Sequence, residues 1–123
     1  MPKIVTGDSV FSAKTATTTS AGIPIEPYQD ITIQFLAAAI SSGNGVFTID
    51  GSNDGQNWVT GISFQDVTAT ASATYVTSKT LSSNTTAAGY LRNCGFKLIR
   101  VVVTVTTDGS YSAFICGRWA PRG

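Results

Sequence analysis

The residues of this 123-residue chain that could carry chemistry are few, and their spacing does not favour catalysis. There is no histidine, so a Ser–His or Cys–His nucleophile pair and a histidine metal site are both excluded. The 7 acidic residues fall singly, mostly in segments that read as turns, and no two are placed by the pattern to act as acid and base. No glycine-rich phosphate cradle follows a strand and opens a helix. These features point to a protein that binds or assembles and is not an enzyme, with no cofactor and no resident metal expected.

One stretch does carry a ligand-like spacing. Phe47-Thr48-Ile49-Asp50-Gly51-Ser52-Asn53-Asp54-Gly55-Gln56-Asn57-Trp58 places Asp50, Ser52, Asp54 and Gly55 as in the opening of an EF-hand calcium loop. The rest of that motif is missing. Gly61 stands where the bidentate Glu is required, and the flanks alternate as strands do, not as helices. A turn explains the stretch better: Asp and Asn side chains bond their own backbone, Gly55 supplies positive φ, and Trp58 is expected to cover the end of the core. Trp58, Tyr90, Tyr111 and Trp119 form a second group, able in principle to stack on sugar rings. Aromatics on strands more often belong to a core or a subunit interface, so glycan stacking on Trp58 and Trp119 is the alternative reading.

The elements that position these residues are strands. Charged residues make up only 12%, about half the usual share, and Ser with Thr supplies roughly a quarter of the chain. Thr, Val and Ile are stiff at χ1 and suit a pleated surface. A hydroxyl-rich, weakly charged surface also packs against neighbouring subunits at small desolvation cost. Net charge is +1, so no electrostatic attraction to nucleic acid is expected, although Arg92, Lys97, Arg100, Arg118 and Arg122 face only Asp108 in the last third. No stretch is long and apolar enough to span a membrane. The octet Met1-Pro2-Lys3-Ile4-Val5-Thr6-Gly7-Asp8 has no secretory apolar region, so synthesis in a host cytoplasm is expected.

From Asp30 onward the pattern alternates with period two. Ile31, Ile33 and Phe35 lead into a turn at Asn44-Gly45, and Phe47 and Ile49 continue beyond it. Trp58, Thr60, Ile62 and Phe64 read as another strand, and so does Thr74-Tyr75-Val76-Thr77. The segment from Thr77 to Tyr90 reads as a loop. Phe96 to Thr106 is apolar on both faces over its middle, and Asp108-Gly109 predicts a hairpin to a last strand from Tyr111 to Trp119. On that pairing Cys94 and Cys116 are on the order of 20 Å apart and remain thiols. The fold class that follows is all-β: an antiparallel β-sandwich, jelly-roll or immunoglobulin-like, over residues 30–123.

Residues 1–29 read differently. Residues 12–22 are small and polar, and Pro24 and Pro27 enforce extended backbone. The segment is expected to be an extended N-terminal arm outside the core, with room for one edge strand; disorder is the alternative. Its apolar residues Ile4, Val5, Val10, Phe11, Ile23, Ile25 and Tyr28 would pack on a neighbouring subunit.

The run from Phe47 to Trp58 resembles a segment common in small tailed-bacteriophage virion proteins, and the stretch Phe96 to Val101 with the Asp108-Gly109 hairpin looks like the last two strands of such domains. The resemblance covers two stretches within residues 47–119. It implies a virion structural protein of the capsid decoration, cement or head-fibre kind. The implied partners are the major capsid protein and further copies of itself, as a dimer or trimer, with no nucleic acid and no membrane. An adhesin module of a fibre or tail, and a tail or connector component, are the alternatives it leaves open.

Overall fold

The computed structural model describes residues 4–26, 28–68, 74–92 and 94–118, with side-chain burial described from residue 8. All its regular elements are strands: β1 (Ile4–Lys14), β2 (Thr18–Thr19), β3 (Ile23–Pro24), β4 (Asp30–Ala38), β5 (Asn44–Ser52), β6 (Phe64–Asp66), β7 (Thr74–Val76), β8 (Lys79–Leu81), β9 (Thr85–Arg92), β10 (Leu98–Thr106) and β11 (Ser110–Arg118). They form two antiparallel sheets, one in the order β1-β11-β4-β9-β6-β7, the other β2-β10-β5-β8 with β3 also on β10. The β-sandwich expected from period-two alternation is present.

Each sheet turns one side of its strands inward. Ile31, Ile33 and Phe35 on β4 and Tyr111, Ala113 and Ile115 on β11 meet Phe47 and Ile49 on β5 and Ile99, Val101 and Val103 on β10. Aromatic rings span the gap. Phe35 lies 4.7 Å from Phe47 and 5.9 Å from Phe64, and Phe47 lies 6.1 Å from Tyr111. Gly89 and Gly45 are the complements of these rings. A Cβ on Gly89 would stand 2.7 Å from the Phe64 ring, and one on Gly45 would stand 2.5 Å from Tyr111. Gly89 makes room for the Phe64 ring from the neighbouring strand of its own sheet, and Gly45 for the Tyr111 ring from the opposite sheet.

The connections β4–β5 and β10–β11 differ from expectation. Asp108-Gly109 does not turn a hairpin, because β10 pairs with β5, β2 and β3 while β11 pairs with β1 and β4. Both strands are occupied on both edges, so the chain crosses from one sheet to the other. The same holds after β4, which leaves for the second sheet through residues 39–43 with Asn44 already in β5. As β4 neighbours β11 and β5 neighbours β10, a two-stranded ribbon folds over between the layers, as in a jelly roll. The two crossings are clasped together. The Asp108 carboxylate accepts from the N–H groups of Ser41 (3.2 Å), Ser42 (3.2 Å) and Gly43 (2.9 Å). The buried Tyr111 hydroxyl donates to the Asp108 carbonyl at 2.8 Å. Donation from Ser41, Gly43 and Ser42 holds the Asp108 carboxyl below the usual carboxylate range.

The expectation that residues 1–29 stay outside the core is corrected as well. Ile4–Lys14 is an edge strand of the six-stranded sheet, with Ile4 opposite Arg118 and Lys14 opposite Tyr111. Its register slips between Val5 and Asp8, Ser9 and Phe11, and Phe11 and Lys14, and Ala13 takes φ of 52°. Phe11 is buried and stacks on Phe47 at 6.4 Å. The chain then crosses to the other sheet, where β2 and β3 lie along β10 and Ile25 is buried at 2% exposure. Pro24 sits at an edge, where a missing donor costs nothing. Of the apolar residues that suggested a partner, Phe11 and Ile25 are buried in their own domain, and Val10, Ile23 and Tyr28 pack against its core.

Two further assignments change. Residues 58–63 form no ladder strand: Gly51 and Val59 exchange both N–H···O bonds, at 3.0 and 2.8 Å, and Ile62 donates to Ile49 at 2.8 Å. The segment read as a loop up to Tyr90 contains β8 and β9, and β9 pairs with β4 from Ala37–Thr85 to Asp30–Arg92. On the inward side of β10, Ile99, Val101 and Val103 are buried and Val105 is half-buried, while Arg100 and Val102 on the other side are half-buried.

Candidate functional site

On the outer side of the five-stranded sheet, the distinctive loop after β5 closes upon itself. Asp54 accepts from the N–H groups of Gln56 (2.9 Å) and Asn57 (2.8 Å), the Asn57 side-chain amide (2.7 Å) and the Ser52 hydroxyl (3.0 Å). These donors, the Asn57 N–H first, hold its carboxyl far below the usual range. Gly55 takes φ of 78°, the left-handed turn conformation expected of it. The Asp54 oxygens are occupied by the loop's own donors, and no group of three or more acidic or sulfur ligands occurs among the described residues.

Asp50 stands apart from that loop. It is buried at 3% exposure, accepts from the Arg100 Nε at 2.9 Å and from the Gly61 N–H at 3.0 Å. The Arg100 guanidinium in turn lies 4.4 Å above the Trp58 ring. Trp58 also borders Gly22 and so stands on the outer side of the sheet, not over the end of the core. One of its faces is already covered by a cation, and a sugar stacking there would have to displace Arg100 from Asp50. Trp119, the other aromatic of that reading, lies outside the described residues.

A second location brings together residues that the sequence left scattered. Gln65 on β6 faces Tyr75 on β7 and Tyr90 on β9 across the ladder, and Tyr90 faces Thr32 on β4. The inner neighbours Phe64 and Leu91 are buried, so the row Tyr75–Gln65–Tyr90–Thr32 points outward. Pairing of β6 with β9 ends at Gln65–Tyr90, and beyond it a cleft of about 270 Å³ opens. Tyr75, 70% exposed, stands on its rim, Arg92 lies 5.4 Å over the Tyr90 ring, and Cys94 and Phe96 form the far wall. Hydrogen bonding to the Tyr90 phenol raises the Arg92 pKa further. Cys94 and Cys116 are free thiols.

The sequence singles out Tyr90 as a stacking candidate but assigns Tyr75 only to a strand and Arg92 only to the charge asymmetry, and it gives Gln65 no role. The spacing of Tyr90 and Arg92 puts both on one side of a strand, a signal visible only once residues 85–92 are recognised as one. Tyr111, grouped with Tyr90 as a stacking candidate, is wholly buried.

The expected subunit-contact residues are divided. Phe11 and Ile25 belong to the core, whereas Val10, Ile23 and Tyr28 remain half-buried. Those three border a groove of about 380 Å³ between β1, β3 and the start of β4, where Asp8 and Ser20 supply the polar rim. Ile4 and Val5 lie on β1 by their backbone, and their side chains are outside the described residues.

No family model matches the sequence. No curated protein matches it either. Among solved structures, the crystal structure of the SPBc2 prophage-derived protein YomS superposes with a TM-score of 0.68, at 14% identity, over 94% of this chain and 95% of that one. The chain therefore has the fold of that prophage-derived protein along nearly its whole length.

Proposed function

We propose that this protein is a non-enzymatic structural component of a tailed-bacteriophage particle, bound to the outside of the capsid and decorating or stabilising the shell. The observation that carries the reading is the likeness in fold to a prophage-derived protein over 94% of this chain and 95% of that one. A surface rich in Ser and Thr supports it, because such a surface can be covered by neighbours without stripping water from many charges. Contacts with the major capsid protein or with further copies, in a dimer or trimer, would use the half-buried Val10, Ile23 and Tyr28 groove. Phe11 and Ile25 are withdrawn from that role because they are core residues. Repetition on a lattice raises effective concentration, so a small contact suffices.

The test is quantitative mass spectrometry on purified particles of the phage or prophage that carries the gene, with cryo-electron microscopy of the same particles. Copy numbers in fixed ratio to the major capsid protein are expected, with density on the shell. A handful of copies at the tail or connector would replace this reading with that of a tail component, and absence from particles would end it.

A further inference from the structure

We propose that the cleft between β6, β9 and the segment 94–96 binds an acidic oligosaccharide, with Tyr75 and Tyr90 as stacking platforms and Arg92 as the partner of a sugar carboxylate. The inference does not rest on the virion reading.

Four observations converge on this ligand. First, Tyr75 is 70% exposed on a strand at the rim of the cleft, so its ring face is available to stack on a ligand. Second, Tyr75 and Tyr90 both face Gln65 from opposite sides, which sets them two strand spacings apart, roughly 9–10 Å. That separation is comparable to the repeat of two linked sugar rings in an extended chain. Third, Gln65 between them offers both amide donors and an acceptor, and Ser63 in the cleft wall adds a hydroxyl, the groups that recognise sugar hydroxyls. Fourth, Arg92 is the one charged side chain among the described residues that line the cleft. Asp30 faces Arg92 across the ladder, but Arg118 faces Asp30 from its other side, so the local balance stays positive. A guanidinium meets a carboxylate in a planar fork, which favours a hexuronate over a neutral sugar. The cleft's volume of about 270 Å³ suits a single sugar ring beside Arg92, with the rest of the oligosaccharide lying across the sheet over Tyr75 and Tyr90.

The contrast with Trp58 sharpens the assignment. There the cation over the ring is held by a buried carboxylate, whereas Arg92 over Tyr90 makes no ion pair among the described residues and is free to leave the ring for a sugar carboxylate.

The experiment is calorimetric titration of the full chain with oligogalacturonates, against the same oligosaccharides with their carboxylates reduced to alcohols. Binding of the acidic form is expected, at least tenfold tighter than the reduced form and weakening as salt rises. Tyr75→Ala and Arg92→Gln should each lose tenfold or more, Tyr75→Phe should retain most of the binding, and Trp58→Ala should change nothing. Cys94 supplies a readout of location: in a Cys116→Ser background its alkylation should slow when oligogalacturonate is present. Circular dichroism of each variant separates lost binding from lost folding. Absence of oligogalacturonate binding, equal binding of the reduced form, or binding that survives both Tyr75→Ala and Arg92→Gln would each overturn the proposal. None of these outcomes bears on copy number in particles.

Discussion

The outer sides of the two sheets both carry an arginine over an aromatic ring, and they differ in what holds the arginine. On the five-stranded sheet Arg100 lies over Trp58 and is fixed by the buried Asp50. On the six-stranded sheet Arg92 lies over Tyr90 at the mouth of a cleft. The same pair of side-chain types is thus a brace in one place and an open recognition surface in the other. Composition cannot separate the two. The acidic partner does, because a cation whose charge is met inside the fold has little left to offer a ligand.

Removing Arg100 should give the largest effect. Arg100→Ala strands a carboxylate that is only 4% exposed, a change that costs 3–5 kcal/mol at fully buried sites. Arg100 itself is about a quarter exposed, so water can re-enter, and a loss of about 2–3 kcal/mol in urea denaturation is expected. A double-mutant cycle with Asp50→Ala should return a coupling above about 1 kcal/mol. Near-additivity would mean that the pair is no brace.

The crossing clasp should respond to pH, with a smaller effect. Asp108 has its pKa lowered on folding, so its contribution is complete above the unfolded carboxylate value of about 4 and fades as pH falls below it. Asp108→Asn should therefore lower thermal stability by a few degrees at neutral pH and flatten the fall in stability on acidification. An unchanged acid profile in that variant would show that Asp54 and Asp66, also lowered, carry the acid sensitivity instead. The smallest effect is expected at Tyr75. Tyr75→Ala should alter stability by less than about 0.5 kcal/mol, as at surface positions generally, while altering binding. A large loss there would make the cleft a structural feature and dissolve the contrast between the two sides.

Much of this fold was legible in period-two alternation. The strands β4, β5, β10 and β11 announce themselves because their inward residues are large and apolar. The strand β9 does not, since its inward positions are Ala87, Gly89 and Leu91, small where Phe35 and Phe64 from neighbouring strands fill the space. The size that betrays a strand was supplied from elsewhere in the chain. Asp108-Gly109 gave a turn signal that a hairpin and an inter-sheet crossing share, and only pairing on both edges of β10 and β11 decides between them. The bulges of β1 broke its period and made a strand look like an arm. The cleft was illegible for the same reason as β9: Tyr75, Gln65 and Tyr90 come from three strands and meet only through register.

The slipped register of β1 has a consequence for crowding. A regular edge offers donors and acceptors in step, and an identical molecule can read it and extend the sheet. Here three slips within eleven residues, with Ala13 turned left-handed, put that edge out of phase with any straight copy. The strand behaves as a spoiled template. Many molecules can stand shoulder to shoulder at high local density, and that edge gives them no seed for a common fibre.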